Sequence, residues 1–448
     1  MRYPIRVRTV SHMLPRMVAR ACAAHADGIA GVCGGNNVPL PKAGIPKDEI
    51  VAQLDALQAG DVAWKSGRAF TLAYHAGDDV LDLATLANSR FMSTNALNVE
   101  VFPSLRKMQA DVVAMVSDLL HGGPDAAGFM TTGGTESILL AVKAARSRGR
   151  ERGITKPEMV LPTSAHAAFE KAAYDFDVQS IRVPVRKNFR ADPDAMAARL
   201  TANTVLIVGS APQYPQGVVD PIAEIAHIAS AADINCHVDA CMGGITLPML
   251  ERLGYPIPPF DFRVPGVTSM SVDLHKYGYT AKGASVILHR NKELRWHQVF
   301  VTDNWLGGLY GSSGILGTKS GGPIAAAWAV MNYLGEEGYL RLTKAARAAT
   351  EALLAGLCAI PRVRVLGEPD ATHAAFTFDD IDAFAVGQAV RQRGWVVDQQ
   401  QPPPSLHCTV NAVHGPVIAD FLADLEAAVG EVRASPARAR PAVYGALE

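Results

Sequence analysis

Between about Ala96 and Glu336, short runs of aliphatic residues recur between stretches patterned as helices: Met159-Val160-Leu161, Thr204-Val205-Leu206-Ile207-Val208, His237-Val238-Asp239 and Ser285-Val286-Ile287-Leu288. Runs that are apolar throughout suit strands buried on both faces, and helices between such strands imply parallel pairing. The expected fold class is therefore α/β, with a mostly parallel central sheet and helices on both of its faces. After Gly335 the pattern changes to a long helix (Leu340 to Leu357), strands at Val363 to Leu366 and around Ala374 to Phe378, and a final helix from about Val417 to Val432. That reads as a smaller C-terminal α+β domain. Before Asn95, short helical patterns are broken by Gly34-Gly35-Asn36-Asn37 and Pro39-Leu40-Pro41, so this segment has no evident core of its own and is expected to wrap onto another surface. The resulting division is 1–95, 96–336 and 337–448.

A chain of 448 residues has room for a large domain and a smaller partner. Its formal net charge of -1 provides no field for nucleic acid or an anionic surface, which leaves small-molecule chemistry. The six cysteines, Cys22, Cys33, Cys236, Cys241, Cys358 and Cys408, show neither CxxC pairs nor metal-ligand spacing. Neither a metal site nor a disulfide framework is expected, and a reducing cytoplasm is the expected compartment. No apolar run reaches eighteen residues, and the opening stretch with Arg2, Arg6 and Arg8 lacks the apolar region of a secretory signal.

The sharpest chemical feature is Ser271-Val272-Asp273-Leu274-His275-Lys276-Tyr277-Gly278-Tyr279, just after a strand-like Val267 to Met270. A lysine at a sheet edge can condense with an aldehyde cofactor once it loses its proton, which desolvation beside other cations promotes. Taken alone, the same lysine also suits a surface turn. Upstream, Asp239 ends an apolar strand, where a carboxylate needs a cationic partner. A protonated pyridine nitrogen is one candidate and an ordinary Arg or Lys is the other. Thr131-Thr132-Gly133-Gly134-Thr135-Glu136-Ser137 runs straight into a helix from Ile138 to about Arg148. Glycines and hydroxyls at a helix start form a cup for a phosphate, here without the Gly-Lys-Ser/Thr of a nucleotide-binding loop. His166 falls at a strand-to-helix junction, where a flat imidazole can stack on a cofactor ring or simply serve the loop.

Together these segments resemble the sphingosine-1-phosphate lyase branch of the pyridoxal phosphate-dependent group II decarboxylases. The resemblance also runs through Leu40-Pro41-Lys42-Ala43-Gly44-Ile45, Gly67-Arg68, Tyr74-His75-Ala76-Gly77, Val101-Phe102-Pro103-Ser104-Leu105-Arg106-Lys107-Met108, Gly307-Gly308-Leu309-Tyr310-Gly311, Gly321-Gly322-Pro323-Ile324 with Trp328, and Pro403-Pro404-Ser405-Leu406-His407. It implies fold type I (aspartate aminotransferase-like), pyridoxal 5'-phosphate as cofactor, and a homodimer with shared active sites. By the same resemblance Lys276 is the Schiff-base lysine, Asp239 the partner of the pyridine nitrogen and His166 the stacking ring. Gly133, Gly134, Thr135, Ser210 and His275 are its other cofactor neighbours. Lys282 and Tyr74 match residues that assist proton transfer. Asn95, Asn98, Tyr310, Thr318 and Lys319 match positions that reach the substrate, some of them across the dimer interface.

Two departures bear on the substrate. The family usually reads Asn-Pro-Leu-His-Pro-Asp where this chain has Asn95-Ala96-Leu97-Asn98-Val99-Glu100, so Asn98 replaces a phosphate-contacting histidine. It usually reads Gly-Ser-Arg where this chain has Gly317-Thr318-Lys319, which exchanges a bidentate guanidinium for a point charge. The resemblance implies retro-aldol cleavage of a phosphorylated long-chain base to an aldehyde and phosphoethanolamine. The alternatives are an amino-acid decarboxylase, an aldolase acting on another β-hydroxy amine, and a non-catalytic homologue that has kept the fold.

Overall fold

The computed structural model describes residues 38–436, 438 and 439. Arg2, Arg6, Arg8, Cys22, Cys33 and the Gly34 to Asn37 break lie outside the described residues. The central sheet has seven strands: β1 (Ala127–Thr131), β2 (Glu158–Pro162), β3 (Gln179–Val183), β4 (Thr204–Ser210), β5 (Asn235–Asp239), β6 (Ser269–Asp273) and β7 (Ser285–His289). Their spatial order is β1-β7-β6-β5-β4-β2-β3. The pairs β3/β2, β2/β4, β4/β5 and β5/β6 are parallel, whereas β7 runs antiparallel to both β6 and β1. β1 thus points the same way as β2 to β6, and six strands present their carboxyl ends along one edge.

Strands β4 to β7 are buried at every position, which accounts for their continuous apolar character. One difference from the sequence reading concerns β6. Its pairing carries the strand through Ser271, Val272 and Asp273, beyond the expected end at Met270. The polar side chains Ser269, Ser271 and Asp273 alternate with Met270 and Val272, so period-two patterning masks a strand buried on both faces.

Beyond the sheet, β8 (Phe300–Thr302) and β9 (Tyr310–Ser312) form a hairpin, and β10 (Val363–Val365), β11 (His373–Phe378), β12 (Asp398–Gln400) and β13 (Ser405–Thr409) form an antiparallel sheet in the order β10-β11-β13-β12. The long helix expected from Leu340 begins much earlier. It spans Gly322–Ala359 and is broken at Gly335, whose φ of 53° and ψ of -171° are not helical. Glycine enters that left-handed region without a Cβ penalty; past the break Tyr339 and Leu342 still pack in the large core, and the helix joins the small core from Ala349 onward. The small core, built on Phe376, Trp395, Leu406 and Phe421, also includes Phe70 from the N-terminal segment.

In the described N-terminal segment, α1 (Lys47–Gln58) buries no residue, although Ile50, Val51, Leu54 and Leu57 lie along it and are all exposed. No helix among the described residues is long and apolar enough to cross a membrane.

Candidate active site

The sheet's carboxyl edge gathers the polar residues. Ser210, Asp239 and Asp273 are the last residues of β4, β5 and β6, three adjacent strands. Thr132, Gly133 and Gly134 follow β1 directly, and His166 lies shortly after β2. Parallel strands make this edge the ordinary place for a ligand crevice. A cavity of about 570 Å³ opens there, lined by Thr132 to Glu136, His166, Asp239, Cys241, Asp273, His275 and Lys276, among others.

Lys276 sits three residues past the end of β6, and its Nζ lies 2.9 Å from Asp273 Oδ2. Burial works to lower the lysine pKa, but Asp273, aided by Cys241 and Tyr74, carries it well above the ordinary lysine value. The sequence had suggested the opposite balance, a lysine discharged by neighbouring cations. The reason is local: extending β6 through Asp273 brings its carboxylate onto Lys276, and Ser285 Oγ donates to the other carboxylate oxygen at 2.6 Å.

Asp239 Oδ1 accepts hydrogen bonds from Cys241 N at 3.1 Å and Ser271 Oγ at 3.2 Å. Among the described residues it makes no ion pair with Lys or Arg, so the ordinary salt-bridge reading of this residue is not met. His166 accepts from Ala168 N through Nδ1, and burial lowers its pKa, so its ring is neutral. His275 donates from Nδ1 to the Ala284 carbonyl at 2.8 Å, which fixes its tautomer, and burial lowers its pKa as well. The Gly133 backbone adjoins His275, and a methyl group at Gly134 would stand 2.7 Å from Asp273 Oδ2 and 2.8 Å from Cys241 Sγ. Only glycine allows the helix start to approach Asp273, the carboxylate paired with Lys276, so closely. The helix it opens, α2 (Gly134–Glu151), begins four residues earlier than the apolar periodicity suggested.

Lys282 and Tyr74 meet on the same side. Lys282 Nζ donates to the carbonyls of Leu72 at 2.9 Å and His275 at 3.2 Å, and lies 5.1 Å from the centroid of the Tyr74 ring. Its side chain keeps an exposed flank, yet its surroundings are dense enough that burial, followed by the charge of Lys276, lowers its pKa to about 8. Of the two lysines, Lys282 is the one that is readily neutral.

The remaining candidates lie apart from this cavity. Tyr310 stands in β9 with its ring against Phe300 and Trp305. Asn95 Nδ2 donates to Thr318 Oγ1 at 3.3 Å on the surface, and Asn98 is exposed, its Oδ1 accepting from Glu100 N. Lys319 is buried, but its Nζ donates to the Met130 carbonyl at 2.9 Å and lies 4.0 Å from the centroid of the Phe129 ring. Burial there lowers its pKa to about 8.

A profile of the pyridoxal-dependent decarboxylase conserved domain matches residues 40–379. The chain is 43% identical to a sphingosine-1-phosphate lyase of Oryza sativa subsp. japonica over 91% of its own length and 77% of that protein's. The chain belongs to the sphingosine-1-phosphate lyase family. The sphingosine-1-phosphate lyase 1 of Rattus norvegicus is 40% identical, with 91% of this chain and 72% of that protein covered. The solved structure of a sphingosine-1-phosphate lyase from Burkholderia pseudomallei superposes with a TM-score of 0.86 at 40% identity, covering 92% of this chain and 95% of that one. A glutamate decarboxylase of Lactobacillus brevis shares the fold at 18% identity and a TM-score of 0.78.

Lyases of this family use pyridoxal phosphate, and the cavity fits it. It offers a lysine for the aldehyde, a carboxylate without an ion-pair partner for the ring nitrogen, and a glycine-rich helix start for the phosphate. Ser210 Oγ, buried at the end of β4 beside Asp239, has no hydrogen-bond partner among the described residues, but Ser210 does not itself line this cavity.

Several functional neighbours gained no role from the sequence alone. Asp273 stands inside the lysine motif and its spacing of three from Lys276 was the available signal. Glu136, also inside a recognised motif, turns its carboxylate back onto Thr132. Leu72, Tyr214, Ile315 and Leu316 line the cavity from distant parts of the chain and carried no local signal.

Proposed function

We propose that this protein is a pyridoxal phosphate-dependent lyase that cleaves the Cα–Cβ bond of sphingosine 1-phosphate, giving a long-chain aldehyde and phosphoethanolamine. The observation that carries this reading is the convergence of Lys276, Asp239, His166 and the Gly133-Gly134-Thr135 cup on one cavity, in a chain at least 40% identical to two sphingosine-1-phosphate lyases over nine-tenths of its length.

When bound, pyridoxal phosphate supplies an electron sink for the pair released as that bond breaks. Lys276 would hold its aldehyde, Asp239 would face the ring nitrogen with Ser210 beside it at the end of the next strand, His166 would lie against the ring, and Gly133, Gly134, Thr135 and His275 would surround the phosphate end. Loss of the proton from the substrate β-hydroxyl lets the aldehyde leave, and Cα must then gain a proton. Lys282 and Tyr74, adjacent to each other and to Lys276, are the groups for that transfer.

We further propose a homodimer in the cytoplasm. The fully exposed α1, and the position of Asn95, Asn98, Tyr310 and Thr318 on a surface outside their own chain's cavity, support a partner that is covered by α1 and receives these residues. The buried free thiols of Cys236, Cys241 and Cys408 suit a reducing compartment. A separate small core, built almost entirely from Ala349 onward, supports the division into a 96–336 domain and a 337–448 domain, while Phe70 ties the N-terminal segment to the smaller one.

Purified protein loaded with pyridoxal phosphate is assayed with sphingosine 1-phosphate, with the aldehyde trapped and Lys276 examined after borohydride reduction. Aldehyde with phosphoethanolamine, and a reduced adduct on Lys276, are the expected results. An adduct without aldehyde would sink the substrate assignment and favour other β-hydroxy amines, in line with the burial of Lys319 away from the cavity.

A further inference from the structure

Beneath Asp239 a row of buried polar side chains runs back into the sheet. His237 and Asp239 share one face of β5, two residues apart, and stand in register with Ser269 and Ser271 of β6. His237 Nδ1 lies 2.9 Å from Ser269 Oγ, its Nε2 lies 3.2 Å from Ser271 Oγ, and Ser271 Oγ donates to Asp239 Oδ1 at 3.2 Å. His237 and Ser271 are fully buried and Ser269 nearly so.

The direction of this chain follows from its end. A carboxylate only accepts, so the Ser271 hydroxyl proton is committed to Asp239. The Ser271 oxygen must then receive a proton from His237, which places the N–H of the neutral ring on Nε2. Nδ1 is left to accept from the Ser269 hydroxyl. Burial drives the His237 pKa down to about 4, so the ring is neutral throughout the working range and carries one N–H. Three polar side chains inside an apolar sheet cost stability unless each is satisfied, and here every hydrogen has a destination.

We propose that His237 is a positioning residue that, through Ser271, directs a hydrogen bond onto Asp239 and thereby holds that carboxylate toward the ring nitrogen of the bound cofactor, so that the nitrogen keeps its proton. This rests on the pyridoxal phosphate reading given above. The imidazole acts at one remove: it touches neither substrate nor cofactor, and its effect is carried by a single serine hydroxyl.

The test uses the holoenzyme with pyridoxal phosphate labelled with ¹⁵N in the ring, in wild type, His237→Gln, His237→Leu and Ser271→Ala. Glutamine keeps a donor near the Nε2 position, leucine removes it, and alanine cuts the chain by one atom. The expected result is a protonated ring-nitrogen shift in wild type and His237→Gln, with a shift toward the neutral nitrogen in His237→Leu and Ser271→Ala. The latter two should lose about ten-fold in kcat while KM changes less than two-fold. In the protein before cofactor addition, ¹⁵N spectra should show the His237 proton on Nε2. A proton on Nδ1, or a ring-nitrogen shift unchanged in both His237→Leu and Ser271→Ala, would overturn the proposal. Should His237→Leu fail to fold, Ser271→Ala carries the test alone. Failure of wild type to take up pyridoxal phosphate would overturn the functional reading on which the proposal depends.

Discussion

Glu136 Oε1 accepts a hydrogen bond from the backbone N–H of Ile315 at 2.8 Å, joining the start of the glycine-rich helix to a loop 179 residues further along the chain. Its Oε2 accepts from Thr132 N at 2.6 Å and Thr132 Oγ1 at 2.7 Å. One buried carboxylate thus holds the glycine-rich turn and the loop that brings Ile315 and Leu316 to the cavity.

Replacing Glu136 with Gln leaves one acceptor oxygen for two loops, so one side must let go. Loss of a hydrogen bond to a charged group costs about 1.5–3 kcal/mol. Both a weaker hold on pyridoxal phosphate and a higher KM are expected, read by cofactor titration and steady-state kinetics. A variant that matches wild type in both would show that Glu136 does not link the two loops.

Lys282 should appear in the pH dependence. With a pKa near 8, it changes charge within the range where such an enzyme is assayed, and a limb near that pH in the kcat profile is expected. Lys282→Gln should remove the limb and lower kcat by about 10²- to 10⁴-fold. Stability follows the same group with a definite sign. The folded pKa of about 8 lies below the ordinary 10.5, so between these values the unfolded chain holds more protons and stability rises with pH. Denaturant midpoints measured across that window should rise in wild type and flatten in the variant.

Gly134→Ala places a methyl group 2.7 Å from Asp273 Oδ2. Overpacking of this kind costs about 1–3 kcal/mol, and the displaced groups are those around Lys276. Pyridoxal phosphate affinity should fall by about ten-fold or more, since each 1.4 kcal/mol is about a factor of ten. Cofactor release during dialysis measures it, and retention equal to wild type would contradict the close approach described here.

The exposed stripe on α1 predicts its own test. Leu54 and Leu57 are 59% and 78% exposed on one chain. Changing both to Glu should shift the protein from dimer toward monomer in sedimentation velocity, and lower activity with it. A wild type that is monomeric at every concentration would remove the basis for a shared site.

Much of this molecule was legible in the sequence. Strands buried on both faces announce themselves as continuous apolar runs, and glycine before a helix or a lysine after a strand is a local pattern, so the α/β class, the position of Lys276 after a strand and the helix start at Gly133-Gly134 could be read directly. The tertiary structure decided what depends on pairing and on distance. It extended β6 through Asp273 and so set a carboxylate against Lys276, brought Glu136 to Ile315, and buried Lys319 under Phe129 rather than in the cavity. It also aligned His237 with Ser269 and Ser271 across two strands. Sequence records which side chains a strand carries, but register between strands fixes which of them face one another, and hydrogen bonds and charge act only at that range.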